Sequence, residues 1–176
     1  MLNVYDRARR ALLRFGSMVL VFALCGGWGA AADAHEFKLG SILMDHPYST
    51  PTAPGARAGA VYFRTLINRG RTPDRLVEAR ASVAGRVELH RMRLDEGVMR
   101  MREVDGIDLP PGQAVPFRHG QSDAFHLMLF DLKAPLKEGD RFSVWLRFRE
   151  AGEIEVSAWV QTPKGQSGAH HHHHRH

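Results

Sequence analysis

A chain of 176 residues with 24 Lys+Arg against 19 Asp+Glu carries a formal charge of +5, and its length fits one domain plus a targeting segment. The basic residues are dispersed rather than gathered in a stripe, which argues against a nucleic-acid surface. Cys25 is the only cysteine, so an intramolecular disulfide is excluded.

Residues 1–34 read as a cleavable export signal. Arg7, Arg9, Arg10 and Arg14 form a basic n-region, residues 17–25 a short apolar h-region, and Ala32-Asp33-Ala34 an A-x-A cleavage site. The apolar run is too short to span a bilayer. Cys25 invites a lipoprotein reading, but Leu24 stands where a lipobox carries a small residue. Cleavage after Ala34 is expected to release a periplasmic chain of formal charge +3 with no cysteine and no membrane segment. Such a chain has no thiolate to act as nucleophile or metal ligand.

Residues 35–162 read as one all-β domain. Strand candidates lie at 36–43, 58–67, 76–82, 86–92, 98–104, 113–117, 125–132, 141–149 and 153–160. Turn chemistry separates them: Asn68-Arg69-Gly70, Asp95-Glu96-Gly97, Asp105-Gly106, Pro110-Pro111-Gly112, Glu138-Gly139-Asp140 and Ala151-Gly152. His46-Pro47 is read as the loop after the first strand. No segment shows a sustained 3.6-residue period with helix caps, so an antiparallel sandwich or barrel is expected. Val144, Leu146 and Phe148 share one strand face, as do Val156, Ala158 and Val160; both faces are assigned to the core. Residues 163–176 form a polar tail.

The candidate chemistry lies in the middle of this domain. Residues two apart on a strand point the same way, so His90 with Met92, and His126 with Met128, each present an imidazole and a thioether to one side. Met99 and Met101 form a third same-face pair, and a hairpin through residues 95–97 would set one of them beside His90. Thioether sulfur is soft and suits Cu(I), whereas zinc takes imidazole, thiolate and carboxylate. No loop has a calcium-site pattern, and a blue-copper site would need a cysteine. Spacing alone leaves Met92, Met99 and Met101 open as the partner of the two histidines. The carboxylates Glu88, Asp95, Glu96 and Glu103 are scattered and read as solvated strand and turn positions; with no nucleophile elbow or phosphate loop, the chain does not read as an enzyme.

Four stretches resemble the PCu(A)C copper chaperones: PGARAGAVYF (54–63), VELHRM (87–92), GVMRMREVDGIDLPPG (97–112) and HLMLFDLKAPLKEGDRF (126–142). The family pattern is His, ten residues, Met, a longer interval, then His-x-Met. Ten residues separate His90 from Met101 here, so the resemblance selects Met101 and implies a His90, Met101, His126, Met128 site for Cu(I). It also implies a Greek-key, cupredoxin-like fold. The implied role is delivery of Cu(I) to a respiratory oxidase assembly pathway, with an oxidase subunit or a Sco-type thiol protein as acceptor. The interval from Met101 to His126 is longer than in the family, and the excess falls in RHGQSDAF (118–125). That loop makes His119 a candidate accessory ligand.

The tail carries His170, His171, His172, His173, His174 and His176. Five histidines followed by Arg-His differ from a six-histidine tag, and the run is read as native. Clustered imidazoles take Cu(II) with little selectivity. A chain that sequesters copper with site and tail together is therefore the alternative to a chaperone.

Overall fold

The computed structural model describes residues 36–163. Eleven strands fill that span: β1 (Glu36–Leu39), β2 (Ile42–Ser49), β3 (Ala58–Asn68), β4 (Asp74–Ala81), β5 (Arg86–Asp95), β6 (Val98–Glu103), β7 (Ile107–Leu109), β8 (Ala114–Val115), β9 (Phe125–Phe130), β10 (Arg141–Phe148) and β11 (Gly152–Val160). Among the described residues no helix is long and apolar enough to cross a membrane. The strands form one sheet in the order β6-β5-β9-β3-β2-β11-β10-β4-β7, with β1 on β2 and β8 on β3. Strand pairing is antiparallel except for a short parallel contact of β11 with β2, where Trp159 faces Tyr48 and Val160 faces Ser49.

Period-two patterning makes one face of this sheet the core. On β10, Phe142, Val144, Leu146 and Phe148 are buried; on β11, Val156, Ala158 and Val160 are. They pack in one cluster with Val61, Phe63, Leu89, Leu127 and Leu129 from the other half of the sheet. The two assigned core faces are thus both inside. Burial of this apolar surface is the main stabilising term. A second, smaller cluster of Tyr48, Ala60 and Tyr62 lies apart from it.

Three segments depart from the sequence reading. The first expected strand is split into β1 and β2 by a reversal at Gly40 (φ 55°). His46-Pro47 is not a loop; it lies inside β2, where Asp45 faces Thr65 and Pro47 faces Phe63. His46 absorbs the irregularity with a φ of 49°, and pairing resumes without a change of register. Strand β7 was not expected, because only three residues separate the turns on either side. Its pairing with β4 and the burial of Ile107 and Leu109 hold it in place.

Candidate metal centre

One end of the sheet positions the chemistry. β9 is flanked by β5 and β3, and β6 is the edge strand beyond β5. β5 and β6 are joined by Glu96 (φ 49°) and Gly97 (φ 79°). Two positive φ values in a two-residue loop match the right-handed twist of a hairpin. Asp95 therefore faces Val98, and the register runs on to place Met92 opposite Met101 and His90 opposite Glu103. On its other side β5 places His90 opposite His126 and Glu88 opposite Met128.

Directly opposed residues share a sheet face. His90, His126, Met128 and Met101 therefore lie on one face, with Met92 between Met101 and the histidines. The intervening Leu89, Leu127 and Leu129 point to the core. The two imidazoles are the centre of this group, with ring centroids 5.5 Å apart. Met128 follows His126 by one pleat. Met101 stands diagonally across from His90 on the edge strand and is 56% exposed.

His126 is 2% exposed. It lies between His90 and the ring of Tyr62, whose centroid is 6.0 Å away. Burial, and secondarily the neighbouring His90, push its pKa down to about 4. Burial also lowers that of His90, with Glu103 acting in the opposite direction and Arg86 adding to the fall. Both rings are thus neutral near pH 7. The Nδ1 atoms of both are buried and have no hydrogen-bond partner in the protein. A buried polar atom left unpaired costs about 1–3 kcal/mol, so two of them side by side fit a site built for a ligand. Among the described residues no three His, Cys, Asp or Glu side chains gather as a cage. The Met101 and Met128 thioethers share the face of the two imidazoles, and thioether sulfur is a soft donor.

Two sequence readings change at this site. Glu88 is not a solvated strand residue: its side chain is 13% exposed, and its Oε2 accepts a hydrogen bond from His90 Nε2 at 2.8 Å. Its parity with His90 was the available sign, since both point to the same face of β5. His119 is brought near but not into the imidazole pair. Its ring meets Tyr62 edge-on at 5.1 Å, and its backbone N–H donates to the Tyr48 hydroxyl. Tyr62 thus touches both His119 and His126. Burial, then the nearby Tyr48, raises the Tyr62 pKa to about 12, so it stays a neutral phenol. The long 118–125 loop is pinned where it enters β9: the Phe125 N–H donates to the Pro116 carbonyl, and the Met92 N–H to that of Ala124. The segment 1–34, read from sequence as an export signal, and His170, His171, His172, His173, His174 and His176 lie outside the described residues.

Comparison with known proteins gives this arrangement a context. The family described as "Putative lipoprotein LpqE-like" matches residues 42–160. Lxx21020 of Leifsonia xyli subsp. xyli, which bears the same lipoprotein label, is 33% identical over 104 residues, covering 58% of this chain and 61% of its own. RP573 of Rickettsia prowazekii is 32% identical over 123 residues, 68% of this chain and 66% of its own. The chain thus spans somewhat under two thirds of these curated relatives. Among solved structures, the copper-bound PCuAC domain from PmoF2 is similar with a TM-score of 0.61 at 26% identity, covering 73% of this chain and 99% of that one. CuI-DR1885 from Deinococcus radiodurans is similar with a TM-score of 0.55 at 26% identity, covering 77% and 85%. The matched span takes in every strand from β2 to β11, and with it the whole His/Met face, so the chain belongs to the LpqE-like family, that of the PCu(A)C domains.

Proposed function

We propose that this protein is an exported Cu(I) chaperone that binds one ion through His90, Met101, His126 and Met128. The observation that carries the reading is the pair of buried, unpartnered Nδ1 atoms on facing imidazoles, with thioethers on the same sheet face. The ligand set is neutral. It favours a monovalent soft ion and leaves zinc without the thiolates or carboxylates it prefers. The copper-bound PmoF2 domain and CuI-DR1885 support copper as the cargo.

The geometry suggests how cargo is released. His126 and His90 are held by flanking strands, whereas Met101 is on an exposed edge. A donor atom of an acceptor displaces the Met101 thioether first, and the imidazoles hold the ion until further acceptor donors arrive. No bond of a substrate is made or broken and no electron moves, so the role is transfer rather than catalysis. The acceptor we infer is a periplasmic oxidase subunit or a Sco-type assembly factor, reached after export by the 1–34 segment. The histidines of the tail would collect Cu(II) loosely and raise its local concentration; passing it on as Cu(I) requires an electron from a separate donor.

A Cu(I) titration against a competing chelator tests this reading. The expected result is one tightly held ion in the domain, retained when residues 169–176 are deleted and weakened by Met101→Ala and by His126→Ala. Full affinity in both variants would overturn the site. Several tightly held ions that no acceptor removes would favour sequestration instead.

A further inference from the structure

The imidazole of His90 has two nitrogens, and only one can meet a metal on the shared face while the other is engaged. Glu88 decides which. It sits two residues before His90 on β5, on the same face, opposite Met128. Its Oε2 lies 2.8 Å from His90 Nε2. A carboxylate only accepts hydrogen bonds, so Nε2 carries the proton and Nδ1 the lone pair. Nδ1 is also the buried atom without a partner.

Glu88 is itself fixed. Its Oε1 is paired with the guanidinium of Arg86, and that guanidinium stacks 4.5 Å above the ring of Phe130. Arg86, Glu88 and His90 thus form a chain along one face of β5, terminating at the Nδ1 lone pair. We propose that Glu88 is a positioning residue for the metal centre, fixing the tautomer and ring orientation of His90 so that Nδ1 is the coordinating atom. This inference rests on the Cu(I) reading above. It extends that reading to an outer partner that makes no contact with the ion. A carboxylate behind a ligating histidine also increases the ring's donor strength, and loss of such a partner typically weakens metal affinity 10–100-fold.

The test compares full-length wild type with Glu88→Gln and Glu88→Leu. The first readout is metal-free: long-range 1H–15N correlation spectra report which His90 nitrogen is protonated. Wild type is expected to be the Nε2–H tautomer alone. Glu88→Gln keeps a carbonyl oxygen as acceptor and is expected to keep that tautomer. Glu88→Leu is expected to give a mixture. The second readout is Cu(I) affinity by chelator competition, expected to fall about 10–100-fold in Glu88→Leu and to recover largely in Glu88→Gln. Wild-type His90 found as the Nδ1–H tautomer would overturn the inference without any variant. So would a folded Glu88→Leu protein with wild-type tautomer and affinity. If wild type bound no Cu(I), the chaperone reading would fail, and the role of Glu88 toward a metal with it. If wild type bound Cu(I) and Glu88→Leu bound it equally, only the role of Glu88 would fall.

Discussion

Strands β9 and β6 bring sulfur to the same face under opposite conditions. β9 is held on both sides by β5 and β3, its alternate residues Leu127 and Leu129 anchor in the core, and His126 is almost inaccessible. β6 is paired on one side only, and every one of its residues is exposed. The exposed large hydrophobics among the described residues (Leu94, Val98, Met99 and Met101) all lie on the β5–β6 hairpin. Exposed apolar side chains gathered in one place are the kind of surface on which proteins make contacts. In the proposed carrier this difference would divide the work: β9 would retain the ion and β6 would give a partner access to it.

The strongest way to break this division is on β9. His126→Ala removes a buried imidazole, the proposed ligand, and leaves a cavity beside Tyr62. Chelator competition is expected to show Cu(I) affinity reduced at least ~100-fold, beyond the range typical of an outer partner. Thermal unfolding is expected to show a loss of about 2 kcal/mol. On β6, Met101→Leu keeps size and apolarity and removes only the sulfur. Stability should stay within ~0.5 kcal/mol, as for surface substitutions generally, while stopped-flow transfer to a chelator should speed up about tenfold, equivalent to ~1.4 kcal/mol. A large stability change in Met101→Leu, or none in His126→Ala, would erase the contrast between the strands.

Acid provides a milder test. Because burial holds His126 near pKa 4 and also lowers His90, protons would compete with a bound ion less than they do at ordinary imidazoles. Cu(I) affinity measured from pH 7.5 to 5.5 should fall by less than the roughly tenfold that one imidazole of ordinary pKa ~6.5 would lose by pH 5.5. Stability follows the same groups with a definite sign. The unfolded chain takes up protons below about pH 6.5 while His126 in the folded chain does not, so the protein is destabilised as pH falls from 6.5 toward 4. His126→Ala should flatten that slope in melting curves. The smallest effect is expected at His119. With its ring on Tyr62, His119→Ala should leave Cu(I) affinity within about twofold, a change below 0.5 kcal/mol; a larger loss would bring the 118–125 loop into the site.

The sequence made some of this plain and concealed the rest. Alternation in β10 and β11 marks its own core face because each apolar residue is followed by an outward one, and those residues are all buried. The parity of His126 with Met128 and of His90 with Met92 is equally local. What parity cannot supply is which strand lies beside which. The pairing of His90 with His126 joins residues 36 positions apart and depends on where the sheet places β9. The role of Glu88 was hidden for the same reason. A glutamate on a strand is usually solvated, and only the cover of Met128 from β9, together with the His90 bond, draws it inward. His46-Pro47 misled because proline usually ends a strand, while here His46 takes up the distortion and the register is kept.

The Glu96-Gly97 turn fixes more than a reversal. With a two-residue loop, each residue of β5 from His90 to Asp95 has one partner on β6, so the interval between His90 and Met101 acts as a coordinate on the sheet. Whether that interval is odd or even selects the face. One residue more or fewer would turn the thioether toward Arg91, Arg93, Arg100 and Arg102, on the opposite side of the hairpin. Its magnitude selects the row: two residues more would set the sulfur in the place of Glu103, directly opposite His90. Loop type and residue count therefore form a single address, and a search for comparable hairpin sites in other chains gains its resolving power by requiring both together.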